Sequence, residues 1–173
     1  AFLALKYPGI AGFRPHQDYA YWKGYGCPYP EAHAVFIAID KASKSNGCLK
    51  VVEKSHLLGT LPHGTWSGDS GSDNGVMPDV MQELLNTGYT LKDIELDSGD
   101  ILIFHGNTIH ASDDNVSEDS RIAMIATMNT KKNSQDPEFN KPGCPYWSYQ
   151  ERVFEPIMES DLALPLPDFS KKF

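Results

Sequence analysis

The sequence predicts a mainly β domain: an antiparallel sandwich wound as a jelly roll, with a short helix and long loops. Three observations carry that expectation. Short apolar runs rich in β-branched residues recur along the chain. Clusters of Gly, Asn, Asp and Ser separate them with turn chemistry. Only one segment carries apolar residues at helical spacing. Strands at short intervals with one helix point to sheet packed on sheet.

Each element has its own signal. Residues 3–7 read as an opening strand. Residues 34–39, Ala-Val-Phe-Ile-Ala-Ile, form an apolar run too short for a stable helix. Ser45-Asn46-Gly47 then marks a tight turn, of the kind that joins a hairpin, into a strand over 48–52. Residues 90–96 alternate, with Leu91, Ile94 and Leu96 apolar between polar neighbours. Asp97-Ser98-Gly99-Asp100 turns the chain into a buried strand over 101–104. Residues 121–130 read as another buried strand through Ile122, Met124, Ile125 and Met128. The helix falls at 78–85, where Pro78 and Asp79 suit a first turn. Residues 64–75, crowded with Gly, Ser and Asp around Trp66, read as a long loop suited to a lid. The Pro-rich tail after Asn133 wraps the surface, with one more strand near 149–154.

The 173 residues suit one domain spanning 1–173, large enough to bury a core without disulfides. Hydrophobic residues make up 40% of the chain and aromatics 11%, which argues against a disordered chain. A net charge of −8 disfavours duplex nucleic acid and anionic membrane as partners, since phosphate binding needs clustered cations. No apolar stretch reaches the roughly 18 residues that a bilayer span requires. The three cysteines, Cys27, Cys48 and Cys144, are odd in number and widely spaced. They form neither a disulfide framework nor a zinc motif, and reduced thiols imply a cytoplasmic compartment.

The chemistry centres on His16-Gln17-Asp18. If this segment is extended, residues two apart project from one face, and an imidazole and a carboxylate converge. One histidine and one carboxylate do not make a metal site. His110, just beyond the 101–104 strand, is the best candidate for a third ligand. Two histidines and a carboxylate form the facial triad that holds Fe(II) and leaves coordination positions open. The other four histidines, His33, His56, His63 and His105, read singly as hydrogen-bonded or surface residues. Of these His63, at the mouth of the Gly/Ser loop, is the most suggestive.

Arg121 opens a strand of Ile, Ala and Met, where a guanidinium is costly to bury unless it meets an anion. Two readings stand. It pairs with one of the acids Asp113, Asp114, Glu118 or Asp119, or it grips the far carboxylate of a dicarboxylic co-substrate. Tyr19, Tyr21, Trp22 and Tyr25 follow the metal motif. They read as packing aromatics, with a cation-binding face as the alternative.

The string His16-Gln17-Asp18-Tyr19-Ala20-Tyr21-Trp22, the run from Val35 to Asp40, Asn46-Gly47-Cys48-Leu49 and Ser55-His56 together resemble the phytanoyl-CoA dioxygenase family. So do Ser98-Gly99-Asp100, Phe104-His105, His110-Ala111-Ser112 and Arg121, in order, across roughly residues 1–130. The resemblance implies a double-stranded β-helix, cupin-like, and an Fe(II)- and 2-oxoglutarate-dependent oxygenase. It implies that His16, Asp18 and His110 bind iron, and that Arg121, helped by Ser112, binds the 5-carboxylate of 2-oxoglutarate. Phe13 and Phe104 fall where related enzymes line the pocket. Related halogenases replace the carboxylate with a small residue, so Asp18 favours hydroxylation.

The expected reaction hydroxylates a C–H bond of a small molecule, consuming O2 and releasing succinate and CO2. Two alternatives stand beside it: a cupin-like metalloenzyme that does not use 2-oxoglutarate, and a non-catalytic binding module on the same fold. Family members carry a substantial, partly helical segment before the metal motif, and here 15 residues precede it. A short form and a piece of a longer protein are both open readings of that difference, and the start at Ala1 favours the second.

Overall fold

The computed structural model describes residues 1–24, 26–65 and 74–133, all within the unit Ala1–Phe139. Tyr25, Cys144, the strand expected near 149–154 and the extent of the domain toward residue 173 lie outside the described residues.

Two four-stranded antiparallel sheets form the frame. The first runs β1 (Phe2–Lys6), β10 (Arg121–Met128), β3 (His33–Ala38), β8 (Ile101–His105). The second runs β2 (Phe13–His16), β9 (His110–Ser112), β4 (Leu49–Val52), β7 (Leu91–Ile94). Sequence neighbours sit in opposite sheets: β1 and β2, β3 and β4, β7 and β8, β9 and β10. That alternation is the jelly-roll winding expected from the sequence.

It also corrects the hairpin reading of residues 45–47. The turn carries the chain from one sheet to the other, with Gly47 at φ 72° in the left-handed region that favours glycine. Asp97–Asp100 makes the same kind of crossing, closed by the Asp100 N–H on the Asp97 carbonyl at 3.0 Å. A separate ribbon, β5 (His63–Thr65) with β6 (Asn74–Val76), forms the two ends of the expected lid loop. Residues 66–73 between them lie outside the described residues.

Strand alternation sorts each face. In the first sheet Ala4, Ala123 and Ala38 lie in one row, and Lys6 pairs directly with Arg121 on the same face. Phe36, Ala38 and Ala123 pack there against Leu49, Leu96, Leu102 and Phe104, forming the core between the sheets. The opposite face carries the row Leu3, Met124, Ile37 and Ile101. Two strands are therefore less buried than expected. Ile101 and Ile103 of β8 are exposed because β8 is an edge strand and only Leu102 and Phe104 turn inward. In β10 the buried residues are Arg121 and Ala123, while Met128 is exposed.

Helix α2 (Pro78–Asn86) matches the expected helix. Its Met81, Val80 and Leu84 cover Val52, Val76 and Ile109 on the other side of the second sheet. A second helix, α1 (Asp18–Gly24), was not expected. Its sequence, Asp-Tyr-Ala-Tyr-Trp-Lys-Gly, has strand-like aromatic content, and tertiary contacts decide the outcome. The Tyr19 N–H bonds the Gly106 carbonyl at 2.9 Å, and the Tyr19 hydroxyl reaches the Pro28 carbonyl at 2.9 Å.

Candidate metal and anion site

His16 ends β2, His110 begins β9, and the two are cross-strand partners. Asp18 is the first residue of α1. The motif is therefore a strand-to-helix junction and not the continuous extended segment expected from the sequence. The convergence survives: one ligand atom from each of His16, Asp18 and His110 lies within 4.8 Å of the others. Asp18 Oδ1 stands 3.8 Å from His16 Nε2 and 3.7 Å from His110 Nε2.

Hydrogen bonds settle the tautomers. His16 Nδ1 lies 2.7 Å from the Arg14 carbonyl and His110 Nδ1 lies 3.0 Å from the Thr108 carbonyl. A carbonyl only accepts, so each Nδ1 carries the proton and each Nε2 presents a lone pair. Burial, and for His16 the neighbouring His110, hold both imidazoles down to a pKa of about 4. Burial raises that of Asp18. Two lone pairs and a carboxylate aimed at one point repel one another until a cation lies between them. This donor set fits a divalent metal with open positions.

The junction between the ligands is fastened from below. Gln17, fully buried, donates its amide to the Gly59 carbonyl at 2.8 Å and the Asn107 carbonyl at 2.7 Å. Its Oε1 accepts from the Leu61 N–H at 2.8 Å. The Gln17 backbone N–H donates to His63 Nε2 at 3.0 Å, and His63 Nδ1 donates to the Leu61 carbonyl at 2.9 Å. Phe104 of the first sheet packs on the His110 ring with centroids 4.7 Å apart, so the site lies between the sheets.

His110 and Ser112 share a face of β9, about 7 Å apart by strand rise. The Ser112 hydroxyl accepts from Lys6 Nζ at 3.0 Å and from the Phe13 N–H at 3.1 Å. Among the described residues nothing accepts its own proton. Arg121, 5% exposed, donates Nη1 to the Gly47 carbonyl at 2.8 Å and lies over the Phe36 ring at 5.5 Å. Its Nε is buried with no hydrogen-bond partner among the described residues.

Two of the four acids that offered an alternative for Arg121 have their carboxylates engaged elsewhere, and among the described residues no bond brings the other two, Glu118 and Asp119, to the guanidinium. Asp113 pairs with Lys50, Asp114 accepts from the Gly12 N–H at 2.7 Å, and Asp119 gives its backbone carbonyl to Asn115. Among the described residues no carboxylate pairs with Arg121. A buried guanidinium without an anion is the second feature that fits a ligand.

The sequence profile of the Phytanoyl-CoA dioxygenase (PhyH) family matches residues 2–123. The chain belongs to the phytanoyl-CoA dioxygenase family. Phytanoyl-CoA dioxygenase 1 of Oryza sativa subsp. japonica is 32% identical over 131 residues, covering 69% of this chain and 40% of that protein. L-proline trans-4-hydroxylase of Streptomyces griseoviridis is 26% identical over 130 residues, covering 69% and 48%. Among solved structures, EctD from S. alaskensis with 2-oxoglutarate and 5-hydroxyectoine superposes with a TM-score of 0.64 at 20% identity. That match covers 78% of this chain and 44% of EctD. The chain thus spans less than half the length of each of these relatives.

For a member of the phytanoyl-CoA dioxygenase family, several residues around the site have simple structural roles. Tyr19 is buried and holds the 27–28 carbonyls. Trp22 packs on Gly106, where a Cβ would lie 2.8 Å from its ring. Tyr21 is closer to the triad, its ring 5.8 Å from His16 and its hydroxyl on the Asn74 carbonyl at 2.8 Å. Phe13 is exposed beside His16, at 6.4 Å between rings. His33, His56 and His105 group together away from the triad, their rings 5.2 and 5.7 Å apart. Cys27 and Cys48 are free and buried. No helix among the described residues is long and apolar enough to cross a membrane.

The sequence reading missed Lys6 and Gln17, and it singled out His63 without its bond to the Gln17 N–H. Gln17 sat inside the motif and passed as a spacer. Lys6 gave a usable signal, a lysine on the inward face of a strand alternating with Ala4, but its partner on β10 was visible only in the register.

Proposed function

We propose that this chain is the catalytic core of an Fe(II)- and 2-oxoglutarate-dependent dioxygenase that hydroxylates a C–H bond of a small molecule. In this reading His16, Asp18 and His110 hold the iron, and Arg121 with Ser112 binds the 5-carboxylate of 2-oxoglutarate. The observation that carries it is the pairing of the two features. A three-ligand donor set with free lone pairs and a buried guanidinium both lie between the sheets, and no carboxylate among the described residues pairs with that guanidinium.

The iron, when bound, supplies O2 activation coupled to oxidative decarboxylation of 2-oxoglutarate to succinate and CO2. The chain's own residues orient and exclude. The Arg14 and Thr108 carbonyls hold each imidazole with Nε2 inward, and Gln17 fixes the spacing of the two first ligands. Phe104 and Phe36 wall the space between the sheets with apolar rings. The family relatives named a dioxygenase and a hydroxylase, and the EctD structure with 2-oxoglutarate, support the same chemistry. A cupin-like enzyme without 2-oxoglutarate would leave Arg121 paired with acids, and that pairing is not found among the described residues.

The test is an anaerobic titration with Fe(II) and then 2-oxoglutarate, following the visible charge-transfer band of the chelate. A saturable band, lost in His110→Ala and weakened in Arg121→Lys, is the expected result. Metal binding with no band would sink the 2-oxoglutarate assignment. No metal binding at all would favour a non-catalytic module.

A further inference from the structure

Two cations, not one, are buried between the sheets. Lys6 is 3% exposed and Arg121 5%, and they face each other as cross-strand partners on the inward side of the first sheet. Both converge on Gly47. Arg121 Nη1 bonds its carbonyl at 2.8 Å, and a Cβ at Gly47 would lie 2.8 Å from Lys6 Nζ. Neither cation has a carboxylate partner among the described residues.

The donor count adds to the charge. An ammonium has three N–H donors, and Lys6 uses two, on Ser112 Oγ at 3.0 Å and on the Asp113 carbonyl. Ser112 accepts twice and keeps its own proton to give. Arg121 Nε has no acceptor among the described residues. One buried place between the sheets therefore holds two cations and at least three donors without an acceptor among the described residues. The Asp113 and Asp114 carboxylates reach Lys6 only from beyond ion-pair distance. Burying a cation without an anion is costly, and two adjacent ones repel. A fold that needed Lys6 only to fasten Asp113 and Ser112 would gain the same hydrogen bonds from a neutral amide at lower cost.

We propose that Lys6 is the second cation of the co-substrate pocket, donating its third N–H to the distal carboxylate that Arg121 and Ser112 hold. This rests on the reading of the site as one for a 2-oxo diacid. It makes Lys6 a specificity residue, selecting a 2-oxo acid with a distal carboxylate over one without.

The test compares Lys6→Met, Lys6→Gln and Arg121→Lys with the parent 173-residue chain. Calorimetry under anaerobic Fe(II) measures binding of 2-oxoglutarate and of 2-oxobutanoate, which shares the chelating end and lacks the distal carboxylate. Lys6→Gln keeps N–H donors for Ser112 and Asp113, so it tolerates folding while removing the charge. Both Lys6 variants are expected to weaken 2-oxoglutarate about 10- to 100-fold, the worth of one charge-assisted hydrogen bond, and to leave 2-oxobutanoate and Fe(II) binding unchanged. The ligand-free melting temperature of Lys6→Gln should stay close to the parent's, because its amide keeps donors for Ser112 and Asp113 while a buried charge is removed.

Unchanged 2-oxoglutarate affinity in both Lys6 variants, with Arg121→Lys weakened, would overturn the role of Lys6 and leave the proposed function standing. Equal weakening of both 2-oxo acids would also overturn it, since that is the mark of a structural strut. A parent chain that binds Fe(II) but neither 2-oxo acid would remove both readings together.

Discussion

His16 and His110 face each other across two antiparallel strands, ring centroids 4.2 Å apart, each anchored by Nδ1 to the carbonyl two residues before it. The repeated anchor sets both Nε2 atoms toward Asp18, so two backbone carbonyls fix the ring orientations from outside the site while two lone pairs and a carboxylate repel one another inside it.

Asp18→Asn tests that repulsion. The amide keeps the shape and removes the charge that balances a divalent ion. Metal affinity should fall by more than the roughly 10- to 100-fold typical of outer-sphere partners. The metal-free melting temperature should hold or rise. A large loss of metal-free stability instead would mean that Asp18 serves chiefly the first turn of α1.

Acid should unfold the metal-free protein early. Both imidazoles sit at a pKa of about 4 in the folded chain, below the ordinary 6.5, because burial penalises the charged ring and, for His16, His110 adds to it. Between those values the unfolded chain binds more protons, so stability falls as pH drops from about 6.5 toward 4. Each ring contributes up to about 3 kcal/mol across that window. Asp18, raised by burial, opposes the trend in part, since its folded form takes its proton first on acidification. Denaturation at pH 7 and pH 5, with and without a divalent metal, checks this. The metal should hold the rings unprotonated and suppress the acid loss, and equal stability at both pH values without metal would count against the assignment.

The strands near 3–7, 34–39, 48–52, 90–96, 101–104 and 121–130 were legible because alternation and turn residues are local signals, and the convergence of His16 with Asp18 because H-x-D is compact. Strands β2, β5, β6 and β9 were not, being too short, at three or four residues each, to carry such a pattern. The sheet assignment of β3 and β4 was not, since a Ser-Asn-Gly turn looks the same whether it closes a hairpin or crosses between sheets. Helix α1 was hidden because its aromatics favour strands, and the contacts of Tyr19 with Gly106 and Pro28 that override this are remote or depend on the turn that follows. That no carboxylate among the described residues pairs with Arg121 was equally hidden: four acids lie close in sequence, and only the fold shows Asp113 on Lys50 and Asp114 on the Gly12 N–H.

Arg121→Lys keeps a cation beside Gly47 and loses the planar fork. If the fork holds a carboxylate, 2-oxoglutarate affinity should fall by about tenfold or more while Fe(II) affinity stays within error. Unchanged co-substrate affinity would refute the assignment of Arg121. The comparison with Lys6→Met is informative, because the two losses should not add if both groups hold the same oxygen atoms.

Gln17 offers the sharpest separation of framework from ligand. It touches no metal, yet its amide reaches Gly59, Leu61 and Asn107, and its backbone N–H meets His63. Gln17→Ala removes three buried hydrogen bonds and orphans two carbonyls and one N–H, which should lower stability by about 2–4 kcal/mol. The spacing of His16 and Asp18 then loosens, and metal affinity should fall about 10- to 100-fold, the usual cost of losing an outer support. His63→Ala breaks two hydrogen bonds of the same junction, one fewer than Gln17→Ala, and should give a smaller loss of both quantities. Metal titration beside chemical denaturation separates the two effects. A Gln17→Ala protein that is destabilised but binds metal as tightly as the parent would show that the junction is set by β2 and α1 alone.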